Sequence, residues 1–331
     1  MNKICTKNIS IDTIFRENYD NTMSTDFSFN LPEPIEKVVS MRISAMELPN
    51  VWPSFSKRNK TNSFKIILYN FIDPIDNILV TKREFLIKIP TGNYTSLNFI
   101  NMINAYLLNI GNGLQYLVCT INEINTQTVF RAYNALFDGP AGGNGLDPYY
   151  NGEANQYYSA TFYFALDFSN DDYTIPKYKK AGWMLGFKQE YYMVTYSSTN
   201  VAVGSPNQNN LLITFNAYLS SESSYGSSVY PYIYLDIDEF QENNRVDSLY
   251  HFIGNENVSN NNNIIARISI SSSQNTILID NGSDKIFKKR NYIGPITIEK
   301  LHIQLINRFG DPIDLIGNDY SFILEITYLQ Y

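Results

Sequence analysis

The chain has 331 residues, of which 44% are hydrophobic, and this is enough to bury a sizeable core. Its aromatic content of 15%, dominated by 26 Tyr and 20 Phe, favours broad pleated sheets on which rings pack across strands. The formal net charge of −7 and the pI near 5.0 argue against nucleic-acid binding, which depends on clustered Lys and Arg.

Short strand-like runs separated by turn residues recur along the chain, a pattern typical of an antiparallel β-sandwich. A helix is predicted over residues 97–110, with Thr95 or Ser96 as its cap and Gly111 at its end. We therefore predict an all-β fold with one short helix. The strand-like runs fall at 38–43, 64–69, 85–89, 114–121, 161–167, 211–215, 232–240 and 264–270.

The end of the chain predicts two further amphipathic strands. Residues 301–309 and 322–328 alternate apolar and polar side chains, as half-buried strands do. Between them, Gly310-Asp311-Pro312 supplies the backbone geometry of a turn. We therefore expect these two strands to pair with each other in antiparallel fashion.

Three stretches are low in hydrophobic residues and are predicted to be surface insertions. They lie near residues 138–160, 197–210 and 255–263. We assign residues 1–331 to one elaborated unit, and the alternative is a division into two halves near 140–155.

Neither the cysteines nor the N-terminus indicates secretion. Cys5 and Cys119 form no CxxC spacing and offer at most one bridge, so no disulfide framework or thiolate metal site is expected. Residues 1–7 lack the apolar core of a signal peptide, and no window approaches the roughly 18 apolar residues of a transmembrane segment. We expect a protein of a reducing compartment, without a transmembrane segment.

Two carboxylates on one predicted strand are candidates for chemistry. Asp236 and Asp238 alternate with apolar residues, which places both acids on the same strand face, as a calcium site or a glycosidase pair would require. The simpler interpretation is that they lie on the polar outer face of an ordinary strand. We therefore predict no catalytic residue, no metal and no cofactor.

Other conspicuous features receive structural interpretations. His251 and His302 each lack a nearby His, Cys or spaced carboxylate, so neither is expected to bind metal. The glycine-rich segment 139–145 lacks the strand, helix and Lys of a phosphate loop. Residues 182–187, with two glycines and three large apolar groups, predict a packed corner rather than a sugar-stacking patch, and the basic run 285–290 predicts a solvated loop.

Several short motifs, taken in order and spacing, resemble those of minor capsid and vertex (penton) proteins of nucleocytoplasmic large DNA viruses. The opening motif contains Leu31-Pro32-Glu33-Pro34-Ile35, and the closing motif contains Asp319-Tyr320-Ser321-Phe322. The resemblance spans nearly the whole chain, although each motif is short. The segments that carry it are 27–42, 47–50, 89–95, 182–187, 294–295 and 319–325.

The resemblance implies a jelly-roll type sandwich that assembles into an icosahedral shell, with no active-site residues. It further implies a non-enzymatic virion protein, made in the host cytoplasm, whose partners are the major capsid protein and other minor capsid proteins. An oligomer is expected, with a pentamer as one form. Because the chain is shorter than two fused, fully elaborated jelly rolls would normally require, we favour one jelly roll with insertions.

Two other functions stay open at this point. One is a lectin-like module of the virion that binds host glycans by ring stacking on Tyr149, Tyr150, Tyr157 and Tyr158. The other is a glycoside hydrolase that uses Asp236 and Asp238.

Overall fold

The computed structural model describes residues 3–72, 79–132, 163–194, 199–202, 212–215, 217–226, 231–241, 263–270, 275–280 and 289–330. Within the chain, contacts define two compact units: unit 1 comprises Met1–Pro53 with Tyr230–Tyr331, and unit 2 comprises Ser54–Val229. The division predicted near 140–155 lies outside the described residues. The assignment of the whole chain to one elaborated jelly-roll unit stays a prediction.

The described residues form sixteen strands, two helices and short 3-10 turns. The helices are α1 (Ser96–Ile110) and the short α2 (Ala181–Met184). The strands are β1 (Lys3–Asp12), β2 (Asp26–Pro49), β3 (Ser63–Ile72), β4 (Leu79–Lys88), β5 (Leu117–Ile121), β6 (Gln127–Ala132), β7 (Tyr163–Asp167), β8 (Tyr191–Val194), β9 (Thr199–Ala202), β10 (Leu212–Phe215), β11 (Tyr218–Ser224), β12 (Tyr232–Asp238), β13 (Ile264–Ser269), β14 (Ile277–Asp280), β15 (Lys289–Ile306) and β16 (Ser321–Gln330).

Unit 1 is built on one antiparallel sheet with the strand order β1-β16-β2-β15-β12-β13, and β14 pairs with the end of β2. The long β2 runs antiparallel to β16 and to β15. The predicted hairpin between the last two strands is therefore wrong, because β2 lies between them and they run parallel to each other. The alternating pattern identifies the buried face of each strand, but not its partner, which is selected by packing between distant segments.

The inner faces predicted for the last two strands are confirmed. Leu301, Ile303 and Leu305 of β15 are fully buried. They belong to one core together with Met41 and Ile43 of β2, and burial of each such side chain contributes about 1.5–3 kcal/mol. The corresponding buried residues of β16 are Phe322, Leu324 and Ile326.

Unit 2 contains a sheet of order β4-β3-β7-β8, a sheet of order β11-β6-β5, and the pair β9 and β10. Helix α1 begins where predicted, because the Thr95 hydroxyl accepts a hydrogen bond from the Asn98 N–H at 3.2 Å, and it ends at Gly111, whose φ is +63°. Phe99, Ile103 and Leu107 form the buried stripe. Within the described part of the chain, no helix is long and apolar enough to cross a membrane.

The core of unit 2 is rich in phenylalanine. Phe168 packs its ring at 5.4 Å from that of Phe64 and at 5.2 Å from that of Phe187, centroid to centroid. Phe99 of α1 stacks at 5.6 Å on Phe55. Such ring pairs add about 0.5–1.5 kcal/mol each beyond the buried area.

The predicted fold class, an all-β jelly-roll type antiparallel sandwich, and the helix over 97–110 are confirmed, whereas the four-residue helix α2 was not predicted. Some elements differ in detail. Part of the predicted insertion 197–210 forms β9, which pairs with β10, and the predicted strand 114–121 starts with a 3-10 turn, Leu114–Tyr116. The insertion near 138–160 and residues 255–262 of the third one lie outside the described residues.

Candidate functional site

The two candidate carboxylates do not share an exposed strand face. Asp236 is only 1% exposed, and Asp238 is half-buried, with its Oδ1 accepting a hydrogen bond from the Phe240 N–H at 2.8 Å. The expectation of a solvent-exposed outer face is therefore wrong for Asp236. The reason is that this face of β12 carries a small second apolar cluster, formed by Tyr234 with Ile264 and Ile306.

No metal site is assembled around these acids in the part of the chain that the structure describes, where no three His, Cys, Asp or Glu side chains are placed to hold an ion. That Asp236 and Asp238 take no part in metal binding or hydrolysis stays a prediction. Tyr149, Tyr150, Tyr157 and Tyr158, the candidate glycan contacts, lie outside the described residues, as does His251.

The end of the basic run 285–290 is not a solvated loop. Arg290 and Glu239 form an ion pair in which the side chains are 2% and 0% exposed. The Arg290 guanidinium also donates to the carbonyl oxygens of Ile237, at 2.8 Å, and Asn263, at 2.5 Å. This arginine therefore holds the ends of β12 and β15 and the turn before β13 together.

The remaining candidates have structural roles. His302 Nε2 lies 2.9 Å from Asp26 Oδ1 on the neighbouring strand. Gly182 confirms the predicted packed corner, because a Cβ at this position would lie 2.5 Å from the Phe168 ring.

Cys5 and Cys119 are free thiols. Burial raises the pKa of the Cys119 thiol, which makes it an unreactive core residue.

A basic turn that was not among the predicted sites lies at the start of unit 2. Lys57, Arg58 and Lys60 are all exposed on a loop that is closed by Ser56 and Thr61, whose backbone N–H donates to the Ser56 carbonyl at 3.1 Å. Three cations in four residues were the local signal for this turn. The net negative charge of the whole chain does not reveal this local cluster of positive charge.

The turn forms one wall of a groove of about 420 Å³, which we call the lysine groove. Lys88, at the end of β4, and Lys180, before α2, come from distant parts of the sequence to complete it. The groove is lined by Lys57, Lys60, Asn62, Ser63, Lys88, Ser169, Asn170, Asp172, Ile175 and Lys180.

Only part of the positive charge of the groove is neutralised internally. Lys60 Nζ lies 3.5 Å from Asp172 Oδ2, and the side chain of Lys180 is buried, with its Nζ bound to Glu190 and to the Asp172 carbonyl. A hydrogen bond from Thr174, with Lys60 nearby, lowers the pKa of Asp172. Lys57 and Lys88 have no ion pair among the described residues, so the groove is suited to a negatively charged group.

Unit 1 presents a contrasting surface at the turn between β1 and β2, residues 12–22, which we call the aromatic corner. Phe15 is 84% exposed and Ile14 is 52% exposed. Glu17 and Asp20 are also exposed beside them. The corner therefore combines large apolar groups with negative charge.

The aromatic corner is held in place by Arg16 and Asp319. The Arg16 guanidinium lies 2.5 Å from Asp319 Oδ1, donates to the Thr13 carbonyl at 2.7 Å and stacks 3.9 Å from the Tyr19 ring centroid. The Tyr19 hydroxyl donates to Asp319 Oδ2 at 2.9 Å, and this bond raises the pKa of Tyr19. Exposed apolar groups on a fixed backbone are typical of protein contact sites.

Charge is unevenly distributed between the two units. Unit 1 contains 13 Lys and Arg against 20 Asp and Glu, a net charge of −7, whereas unit 2 contains 12 of each and is neutral. The whole negative charge of the chain therefore resides in the unit with the aromatic corner, and the lysine groove lies in the other.

Two solved structures are similar to this chain along almost its whole length. The mavirus penton protein has 11% sequence identity and a TM-score of 0.45, over 98% of this chain and 99% of that chain. A chain of the Sputnik virophage structure has 14% identity and a TM-score of 0.41, over 98% of each chain. No family model and no curated protein sequence matches. At this level of identity, the similarity assigns no role to any residue of this chain.

Proposed function

We propose that this chain is a non-enzymatic structural protein of a viral shell, a minor capsid or vertex component that acts through protein-protein contacts. The observation that carries the proposal is that the opening and closing motifs of the resemblance are neighbours in one sheet. Arg42 of β2 is paired with Glu325 of β16. The two side chains form a two-point ion pair, with N–O distances of 2.7 and 2.6 Å.

The internal motifs of the resemblance also occupy positions that shape the fold. Gly92 pairs through its backbone with Phe55, at 2.9 and 3.1 Å, immediately before α1. Gly182 and Gly186 lie where a Cβ would collide with Phe168 and with the Ser223 carbonyl. The order and spacing of the motifs therefore coincide with structural constraints, and this coincidence supports a shared architecture.

The surfaces of the chain are suited to contacts. The aromatic corner presents Phe15 to solvent, and the outer side of β14 presents Ile277 and Ile279, which are 64% and 74% exposed. Exposed apolar side chains that lie next to each other on one face, as Ile277 and Ile279 do, are more typical of interaction sites than single ones. They support a protein whose function lies in its faces and turns.

The proposal includes partners and location. The partners are the major capsid protein and other minor capsid proteins, the assembled form is an oligomer such as a pentamer, and the location is the capsid of the virion after synthesis in the host cytoplasm. Nucleic acid is not among the proposed partners, because the net charge of −7 opposes binding to its phosphates. No cofactor is proposed.

Quantitative proteomics of purified virus particles tests the proposal. We expect the chain to co-purify with the major capsid protein at a constant ratio through successive density gradients. A protease treatment of intact particles serves as the control, since it removes adsorbed host proteins but leaves shell components. Absence of the chain from treated particles would contradict the proposed function.

The same measurement separates the two positions in the shell. A vertex component has a fixed, low copy number relative to the major capsid protein, because vertices are few, and a minor component beneath the capsomers is more abundant. Antibody labelling confined to the five-fold vertices would support the vertex position.

A further inference from the structure

We propose that the aromatic corner of one copy of this chain docks into the lysine groove of the next copy. This inference rests on the proposed function, since a shell subunit must bind its neighbours, and it names the surfaces that do so. Each copy carries one corner, in unit 1, and one groove, in unit 2. The contact is therefore head-to-tail, and a head-to-tail contact produces a closed ring if the rotation between copies closes.

Charge complementarity selects the partner. In the groove, Lys57 and Lys88 form no ion pair with a residue that the structure describes, and Arg58 is exposed on the same turn. The corner presents the exposed acids Glu17 and Asp20, while its own cation, Arg16, is bound to Asp319. Since unit 1 carries the whole net charge of −7, a second copy supplies the negative surface that the groove lacks.

The apolar part of the contact is supplied by Phe15. Its 84% exposure leaves nearly the whole ring available for burial, and aromatic anchors in a pocket dominate the energy of many interfaces. The groove contains Ile175 and the alkyl stems of its exposed lysines, which can pack on a ring while the ammonium groups of Lys57 and Lys88 meet the carboxylates.

The corner is also prepared for binding before it meets a partner. Arg16 is fixed by Asp319, by the Thr13 carbonyl and by stacking on Tyr19. The backbone of the corner therefore loses little freedom on docking, and a rigid ligand surface binds with a smaller entropic cost.

Sedimentation velocity of the full chain, at low and at high salt, tests the contact. We expect self-association at low salt that weakens as salt screens the charges. We expect Phe15→Ala, and separately the double variant Lys57→Glu with Lys88→Glu, to weaken association by about tenfold or more. Ile124→Ala is the matched control, because Ile124 is 85% exposed in unit 2 outside the groove, and it should associate like the parent.

Mixing the two variants gives the decisive result. The Phe15→Ala chain keeps its groove and the Lys57→Glu, Lys88→Glu chain keeps its corner, so together they can form one contact but not two. We expect each variant alone to associate at least about tenfold more weakly than the parent, and the mixture to form dimers that grow no further. A mixture that stays monomeric, or a variant that associates like the parent, would overturn the inference.

This outcome is distinct from failure of the proposed function. A parent chain that is monomeric at low salt would overturn the corner-to-groove contact, whereas proteomics of virus particles would still decide membership of the shell. Circular dichroism of each variant shows whether its fold is retained, which we expect because Phe15, Lys57 and Lys88 are all exposed.

Discussion

The two units of this protein are stabilised by different means. Unit 1 buries mostly Ile, Leu and Met beneath one long sheet and contains a fully buried ion pair, Arg290 with Glu239. Unit 2 buries a cluster of phenylalanine rings and brings the backbone into close contact at Gly186. A buried charge makes unit 1 sensitive to loss of a partner, and close packing makes unit 2 sensitive to added volume.

The largest effect is expected from unpairing the buried charge of unit 1. Glu239→Gln leaves the guanidinium of Arg290 buried without its counter-charge, and breaking such a pair costs about 3–5 kcal/mol. Urea unfolding measures the loss of unfolding free energy. Hydrogen exchange should place it in β12 and β15, while the strands of unit 2 keep their protection.

Glu84→Gln is the control for this prediction. Glu84 pairs with Lys82 at 2.5 Å, but the two side chains are 43% and 52% exposed, so its loss should change the unfolding free energy by less than about 1 kcal/mol. If Glu239→Gln and Glu84→Gln lower the unfolding free energy equally, burial of the Arg290–Glu239 pair does not determine its contribution to stability.

The next effect is expected from adding one carbon to the close contact of unit 2. A Cβ on Gly186 would lie 2.1 Å from the Ser223 carbonyl oxygen, and the φ of +92° disfavours any side chain. Gly186→Ala should therefore destabilise unit 2 by about 3 kcal/mol or more, because strain and overpacking add. Thermal unfolding followed by near-ultraviolet circular dichroism, which senses the aromatic core, measures it.

Gly317→Ala, in unit 1, is the control that separates the cost of backbone strain from the cost of the steric clash at Gly186. Gly317 has a φ of +75°, but nothing lies within 4 Å of the position of its Cβ. We expect a cost of about 1 kcal/mol, from backbone strain alone. If both alanine variants lose the same stability, the close contact at Gly186 does not contribute.

The smallest effect is expected at high pH in unit 2. Burial, together with a hydrogen bond from the Tyr192 hydroxyl to Glu222, raises the pKa of Tyr192 to about 12, whereas an unfolded tyrosine titrates near about 10. The fold therefore favours the neutral phenol. This contribution to stability is complete below about pH 10 and is lost as pH rises towards 12.

Urea unfolding across this alkaline range measures the loss, and Tyr192→Phe should make the dependence on pH less steep. Tyr173→Phe is the control, because Tyr173 is 76% exposed and should leave the slope unchanged. Identical slopes for the parent chain and Tyr192→Phe would contradict the role given to this phenol.

Local chemistry made some features predictable and left others open. Helix α1 followed from Thr95, the stripe of Phe99 and Ile103, and Gly111, because caps and periodicity act within a few residues. The insertion of β2 between β15 and β16 did not follow from any local pattern. Pairing between segments that are distant in sequence depends on which apolar faces fit together.

The candidate sites also combine features that local sequence predicts with features that it does not. The acids Asp236 and Asp238 alternate as on an exposed strand, yet Asp236 is buried because a second apolar cluster covers its face. The turn that carries Lys57 and Lys60 was visible as a cluster of cations, but the groove requires Lys88 and Lys180 as well. A site that is assembled from several distant segments cannot be predicted from the sequence of any one of those segments.

The all-β class, helix α1, the buried faces of the last strands and the acidic balance can all be predicted from the amino-acid sequence, because composition, periodicity and capping depend only on the residues themselves and their near neighbours. The strand order, the burial of Arg290 with Glu239 and the assembly of the lysine groove are known only from the folded structure. These features depend on contacts between segments that are distant in sequence, and the packing within each hydrophobic core determines the geometry of those contacts.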